Sequence, residues 1–280
     1  MIIIRAITEM QAEADRLRSE GKRIGFVPTM GFLHEGHLSL IRLAKRHSDA
    51  VVVSVFVNPI QFGPKEDLAR YPRDFQRDER LCLDEGVDIL FHPSESEMYP
   101  DNFLTAVDVG KLTEGLCGAS RPGHFRGVTT VVAKLFLAVK PHVAVFGQKD
   151  AQQAAVIRKM AGDLNFDLTI MVAPIIREPD GLAMSSRNVY LSPEERQDAL
   201  ALNQSLRKAE SMIRAGEKKS AVIVGAIEEM IRSKKNARID YISIVDPDTL
   251  VPLQSVESKI LIALAVFVGK TRLIDNTIIG

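Results

Sequence analysis

Over the first 175 residues the apolar positions fall into two rhythms. Segments 24–27, 50–57, 87–91, 143–146 and 168–172 are almost continuously apolar and rich in β-branched residues, the pattern of strands covered on both faces. Between them, 36–47, 66–85, 129–139 and 151–161 repeat apolar residues at helical spacing. This alternation predicts an α/β architecture, a parallel sheet wrapped by helices through right-handed crossovers. Past Pro174 the rhythm breaks. Pro179, Asp180-Gly181 and Ser185-Ser186-Arg187 are turn chemistry. Ser192-Pro193-Glu194-Glu195 reads as a helix start, with a hydroxyl cap, proline at the first helical position and acids in the first turn. Two helices near 193–214 and 218–234, followed by strands near 239–245, 259–267 and 271–277, predict a smaller C-terminal α+β domain. The expected division is 1–175 and 176–280.

Composition narrows the function classes. Lys+Arg and Asp+Glu are both 36, so the formal charge is zero, which argues against a nucleic-acid binder with its usual basic excess. The two cysteines, Cys82 and Cys117, are too few and too far apart for a zinc knuckle or redox pair, and read as reduced thiols of a cytoplasmic protein. The longest wholly apolar run, 260–268, is too short to span a bilayer, and residues 1–10 do not read as a signal peptide.

The candidate chemistry lies where strands give way to helices. Pro28-Thr29-Met30-Gly31-Phe32-Leu33-His34-Glu35-Gly36-His37 follows the strand at 24–27 and opens a helix. Ligands of such sheets bind at the carboxyl ends of strands, where a helix N-terminus offers free N–H groups to phosphates. His34 and His37 are three apart, so one helical turn sets them on one side, able to stabilise charge on a triphosphate. The plainer alternative is a pair of surface or capping histidines, and the zincin spacing is absent. Phe146-Gly147-Gln148-Lys149-Asp150 again links strand to helix. Lys149 can neutralise a phosphate oxygen and Asp150 can hold a ribose hydroxyl or cap the helix, against the alternative of a solvated charge pair. Gln153 lies one turn beyond Lys149. Met184-Ser185-Ser186-Arg187 offers two hydroxyls and a guanidinium as a phosphate clamp, or is a plain turn. Gln61 and the loop 121–126 are weaker candidates, and Asp74 and Asp78 share a helix face that is solvated by default. Gly269-Lys270-Thr271 is not a phosphate loop, because the first glycine of that motif would fall on Leu264; a hairpin turn is expected.

The strings PTMGFLHEGHLSL, NPIQFGPKEDLARYPR, GHFRGVTTVVAKLF, FGQKDAQQ, DGLAMSSRNVYL and DYISIVDPDTL resemble, in order, the pantothenate synthetase (pantoate–β-alanine ligase) family. The His-x-Gly-His element alone marks the wider nucleotidyltransferase superfamily. The resemblance implies a Rossmann-like parallel sheet carrying the ATP and pantoate sites, with a C-terminal lid bearing the Met-Ser-Ser-Arg loop. It implies ATP-dependent joining of pantoate to β-alanine through a pantoyl-adenylate. ATP would lie along Met30, Gly31, His34, His37, Gly147, Gln148, Lys149, Asp150, Ile176, Met184, Ser185, Ser186 and Arg187. His37, His34, Lys149 and Arg187 would carry the catalysis, and Gln61 and Gln153 would hold pantoate. Magnesium would bind mainly through the nucleotide phosphates. Asp78 matches an acid that some members place near the metal, although Arg77 stands where a neighbouring acid is frequent. The family implies a cytoplasmic homodimer joined through N-terminal domains, with no nucleic-acid or membrane partner. Two rivals are a nucleotidyltransferase that never releases AMP and a regulatory module that binds ATP without turnover.

Overall fold

The computed structural model describes residues 1–64 and 66–280. By internal contacts the chain divides into two compact units. The first comprises 1–110, 121–147 and 156–174; the second comprises 111–120, 148–155 and 175–280. Two short earlier stretches, 111–120 and 148–155, thus group with the C-terminal part.

Among the described residues, the first unit is built on a six-stranded parallel sheet in the order β1-β4-β3-β2-β5-β6. The strands are β1 (Ile2–Ile4), β2 (Ile24–Thr29), β3 (Ala50–Val55), β4 (Ile89–Phe91), β5 (Val143–Gly147) and β6 (Thr169–Ala173). The helices over this stretch of chain are α1 (Ile7–Ser19), α2 (Glu35–Lys45), α3 (Phe75–Asp84), α4 (Glu95–Met98), α5 (Cys117–Ser120), α6 (His124–Val139) and α7 (Ala151–Asp163), of which α5 and the start of α7 group with the second unit. Every residue of β3 is buried, as its unbroken apolar run requires. Val27, Val53, Leu90 and Val145 from four neighbouring strands pack with Leu33, Ile41 and Ala44 on the α2 side. Phe136 of α6 meets Phe26, Phe146 and Phe166 edge-on, with ring centroids 6.4, 6.4 and 5.5 Å apart. Chain order reverses between β2 and β5, which pair directly. Such a switch point opens a crevice at the carboxyl ends of both strands, and the segment Met30–His34 leaves β2 there.

Three features differ from the sequence expectation. Residues 2–19 form β1 and α1, which the apolar rhythm did not reveal because β1 has only three residues and pairs at the sheet edge. The continuous helix expected over 66–85 is a 3₁₀ turn at Leu68–Arg70 and then α3. Pro72 accounts for the break: it disfavours helical geometry at Tyr71, which is extended (φ −56°, ψ 126°), and Asp74 then caps α3 by accepting the Arg77 N–H. Helix α6 begins at His124 rather than 129, entered through Gly123 at φ 83°.

The second unit carries an antiparallel sheet β7-β8-β9 (Ala237–Val245, Ile260–Val268, Thr271–Ile279) with α8 (Pro193–Arg214) and α9 (Ser220–Arg232). Leu202, Leu206, Ile223, Ile227 and Ile231 of the helices pack against Ile262, Leu264, Val266 and Leu273. Ser192 and Glu195 cap α8 reciprocally, as the sequence signals. Gly269-Lys270 is a two-residue hairpin turn joining the paired residues Val268 and Thr271. No helix of the described residues is long and apolar enough to cross a membrane.

Candidate functional site

In the first unit the segment after β2 is shaped by three local devices. The Thr29 hydroxyl accepts the Gly31 N–H at 3.1 Å and donates to the Ser54 carbonyl at 2.7 Å, turning the chain out of the strand. Gly31 (φ 80°) and Phe32 (φ 50°) lie in the left-handed region. A Cβ on Gly31 would come within 2.9 Å of both Asp78 Oδ2 and Val55 Cγ1, so glycine is required there for space as well as for backbone angle. Asp78 then accepts the next two backbone N–H groups, Phe32 at 2.8 Å and Leu33 at 2.7 Å.

This turn delivers His34 as the N-cap of α2, with His37 on its first turn. Their rings lie 4.1 Å apart between centroids, so the two imidazoles do share one side. His37 Nδ1 accepts the His34 backbone N–H at 3.3 Å. In the neutral ring the proton therefore sits on Nε2. Gln61 is buried, with its side-chain nitrogen 3.1 Å from Met30 Sδ and its oxygen accepting from Asn58 at 3.0 Å. Asn58 also donates to the Gly127 carbonyl and accepts from Tyr99, at 3.1 and 2.7 Å. His124 holds the Gln61 carbonyl at 2.9 Å and is itself contacted by Arg121, whose guanidinium is gripped by Glu66 at 2.7 and 2.6 Å. Burial pushes the Glu66 carboxyl upward, but the Arg121 hydrogen bonds and charge outweigh it and hold the group below its ordinary range. Gly147 ends β5 in this unit.

Asp78 is almost wholly buried, in keeping with its amide partners and not with the solvated face expected by default. Burial raises its pKa above the ordinary carboxylate value, with the two amides pulling the other way. No group of three or more His, Cys, Asp or Glu among the described residues could hold a metal ion.

The second unit holds the other candidates. Gln148–Asp150 is one 3₁₀ turn leading into α7, with Lys149 Nζ 3.6 Å from the Asp150 carboxylate. Gln153 is half-buried on the first turn of α7, whereas its neighbour Gln152 is buried as a pin, bonded to the backbone of Cys117, Leu112 and Gly115. Ile176 and Met184 face each other across a short hairpin, the Met184 N–H donating to the Ile176 carbonyl at 3.0 Å. The tip uses Gly181 at φ 97°, with the Leu182 N–H bonded to Asp180. Ser185 then caps a 3₁₀ turn (Ser186–Tyr190) by accepting the Arg187 N–H.

Against this geometry, the family model for pantoate–β-alanine ligase matches residues 2–278. The chain belongs to the pantoate–β-alanine ligase family. Pantothenate synthetase of Caldicellulosiruptor bescii is 59% identical over 279 residues, covering 100% of this chain and 99% of that protein. That of Thermotoga neapolitana is 58% identical over 280 residues, covering 100% of each. Among solved structures, pantothenate synthetase from Thermus thermophilus superposes with a TM-score of 0.94 at 47% identity, covering 99% of both chains. Pantoate–β-alanine ligase from Francisella tularensis, complexed with β,γ-ATP and β-alanine, gives 0.79 at 36% identity, covering 99% of this chain and 97% of that one. Residues that sequence reasoning did not single out include Asn58 and Tyr99, which together with His124 of the candidate loop 121–126 fix Gln61, and Asp275 and Asn276 on β9. An Asp-Asn pair following Leu273-Ile274 in the middle of the strand was the available signal for the last two.

Proposed function

We propose that the chain joins (R)-pantoate to β-alanine in an ATP-dependent, AMP-forming ligation that passes through a bound pantoyl-adenylate. The observation that carries this reading is family membership extending over residues 2–278. The His34–His37 arrangement on α2 supports it chemically, because it presents a ring N–H and a helix N-terminus at a sheet switch point.

A carboxylate resists attack by an amine because its leaving group would be oxide-like. In the first step a pantoate carboxylate oxygen bonds to the α-phosphorus of ATP, and the bond to the bridging oxygen breaks to release pyrophosphate. Negative charge grows on the phosphoryl oxygens and the leaving group. His37 and His34 are assigned to donate hydrogen bonds there, and Lys149 and Arg187 to supply positive charge. Met30, Gly31, Gly147, Gln148, Asp150, Ile176, Met184, Ser185 and Ser186 are assigned to the nucleotide. Gln61 and Gln153 are assigned to pantoate, holding its carboxylate in line. In the second step the neutral β-alanine amine bonds to the acyl carbon, the bond to the AMP oxygen breaks, and the nitrogen gives up a proton. Closure of 184–187 on the phosphates keeps water from the anhydride. Magnesium is assigned to the ATP phosphates as part of the substrate. A cytoplasmic homodimer joined through the 1–175 part, with 176–280 as lid, completes the reading.

The test is product analysis with ATP, magnesium and pantoate, with and without β-alanine. AMP, pyrophosphate and amide formed in equal amounts, only when β-alanine is present, support the reading. Pyrophosphate without amide in both cases contradicts it.

A further inference from the structure

We propose that the adjacent residues Asp275 and Asn276 of β9 are positioning residues, which hold the Gln148–Lys149 turn and the hairpin leading to Met184–Arg187 in fixed register for work on one nucleotide. The proposal rests on the adenylating function above.

Neighbouring residues of a strand point to opposite faces, so β9 reaches a different segment with each. Asn276 pairs with Ala263 of β8, on the face where Ala151, Leu261 and Tyr241 cluster. Its amide nitrogen donates to the backbone carbonyls of Gln148 at 2.9 Å and Lys149 at 3.0 Å, and its oxygen lies 3.3 Å from the Gln148 side-chain nitrogen. The three contacts fix the backbone from which the Lys149 side chain projects. Asp275 pairs with Leu264, on the face packed against α8 and α9. Its two oxygens take the two ends of the Arg177 guanidinium at 2.6 and 3.0 Å. Arg177 also donates to the Gly181 carbonyl and pairs with Ala183, so Asp275 fixes the hairpin whose next residues are Met184 and Ser185. The Asn276 N–H bonds to Asp275 Oδ1 at 2.8 Å, joining the two anchors.

Stability alone does not account for this choice of residues. Asp275 and Asn276 are 2% and 3% exposed. Buried ion pairs are commonly matched or exceeded in stability by apolar residues of similar volume. Leucine and valine at the same sites would add apolar contact, but would give up directional bonds to two backbone carbonyls and a guanidinium. What the polar pair supplies is geometric definition, at the two segments assigned to phosphates.

The experiment uses the full chain and the variants Asn276→Ala, Lys149→Ala and their double. Pantoate-dependent exchange of pyrophosphate into ATP reads the adenylation step, and release of amide from synthetic pantoyl-adenylate and β-alanine reads the second. Asn276→Ala is expected to slow exchange about 10–100-fold, the scale for small misplacement of a reacting group, while leaving aminolysis within about 2-fold. It is expected to weaken ATP binding, read by calorimetry without pantoate. In the Lys149→Ala background it should cost less than about 2-fold further, since it acts through Lys149. Asn276→Ser, which keeps a donor for one carbonyl, should fall between the two. It also carries the test if the alanine variant does not fold. Equal loss in both half-reactions, full multiplication of the two single effects, or unchanged ATP affinity overturns the proposal. Absence of pantoate-dependent exchange in the unaltered chain would instead remove the ligase reading, and the ATP affinity of Asn276→Ala would still decide the positioning role.

Discussion

Replacing Asp78 by asparagine separates two roles for this carboxylate, a magnesium ligand or a clamp on the segment after β2. Its oxygens accept the Phe32 and Leu33 N–H groups at 2.8 and 2.7 Å. Asparagine has the same shape but one acceptor oxygen, so one amide loses its partner and faces an NH₂ group. An orphaned buried donor costs about 1–3 kcal/mol, and a bond to a charged acceptor is worth about 1.5–3 kcal/mol. Relief of the carboxylate's burial offsets part of this, since burial already raises its tendency to hold a proton. The net expectation is about 1–3 kcal/mol of lost stability, or roughly 2–12 °C in melting temperature at 2–4 °C per kcal/mol. The freed Phe32 (φ 50°) would relax toward negative φ and carry His34 with it, slowing adenylation by about 10–100-fold. The assay is pyrophosphate release against magnesium concentration, paired with calorimetric melting. On the clamp account the rate loss is the same at every magnesium level and the melting temperature falls. Recovery of the rate at high magnesium with unchanged melting would refute it.

Four further outcomes are expected. His37→Ala loses about 10²–10³-fold in turnover while melting stays near that of the parent, because a hydrogen-bond donor to developing charge is removed; an unchanged rate removes His37 from the catalytic set. Gln61→Ala raises the KM for pantoate more than that for ATP, and the reverse pattern would undo the assignment. Glu66→Gln costs about 1 kcal/mol near neutrality. Because the folded Glu66 carboxyl is held below its ordinary value, its contribution is complete above the unfolded value and disappears as pH falls through the folded one, so stability curves of the two chains should converge in acid. Burial pushes the Cys82 thiol up to about 12, so alkylation mapped by mass spectrometry at neutral pH should leave it unlabelled until the chain unfolds.

The strands of both sheets were legible because their apolar runs are long and their flanks carry turn residues; β7, β8 and β9 lie within two residues of the expected spans. Short elements were not, since the three residues of β1 gain their strand character from pairing with β4 and not from their own pattern. The His34–His37 pair was legible because helical spacing and a strand-to-helix junction are local facts. The role of Asp78 was not: its partners Phe32 and Leu33 lie more than forty positions away in sequence, and a carboxylate that accepts amides has no signature separate from one that faces water. The same holds for Asn276 and Lys149, joined over a separation of 127 residues. Sequence reasoning finds groups that meet a ligand on one element, and misses those that act through another chain segment.

The central claim, that pantoate is activated as an acyl-adenylate, is tested most directly by following oxygen. Pantoate labelled with ¹⁸O in its carboxylate is incubated with the chain, ATP, magnesium and β-alanine, and the nucleotide products are weighed by mass spectrometry. Attack of the amine on the acyl carbon leaves the bridging oxygen on phosphorus, so the account predicts one ¹⁸O in AMP for each amide formed from doubly labelled pantoate. Unlabelled AMP, or label in inorganic phosphate with ADP as the product, would contradict it.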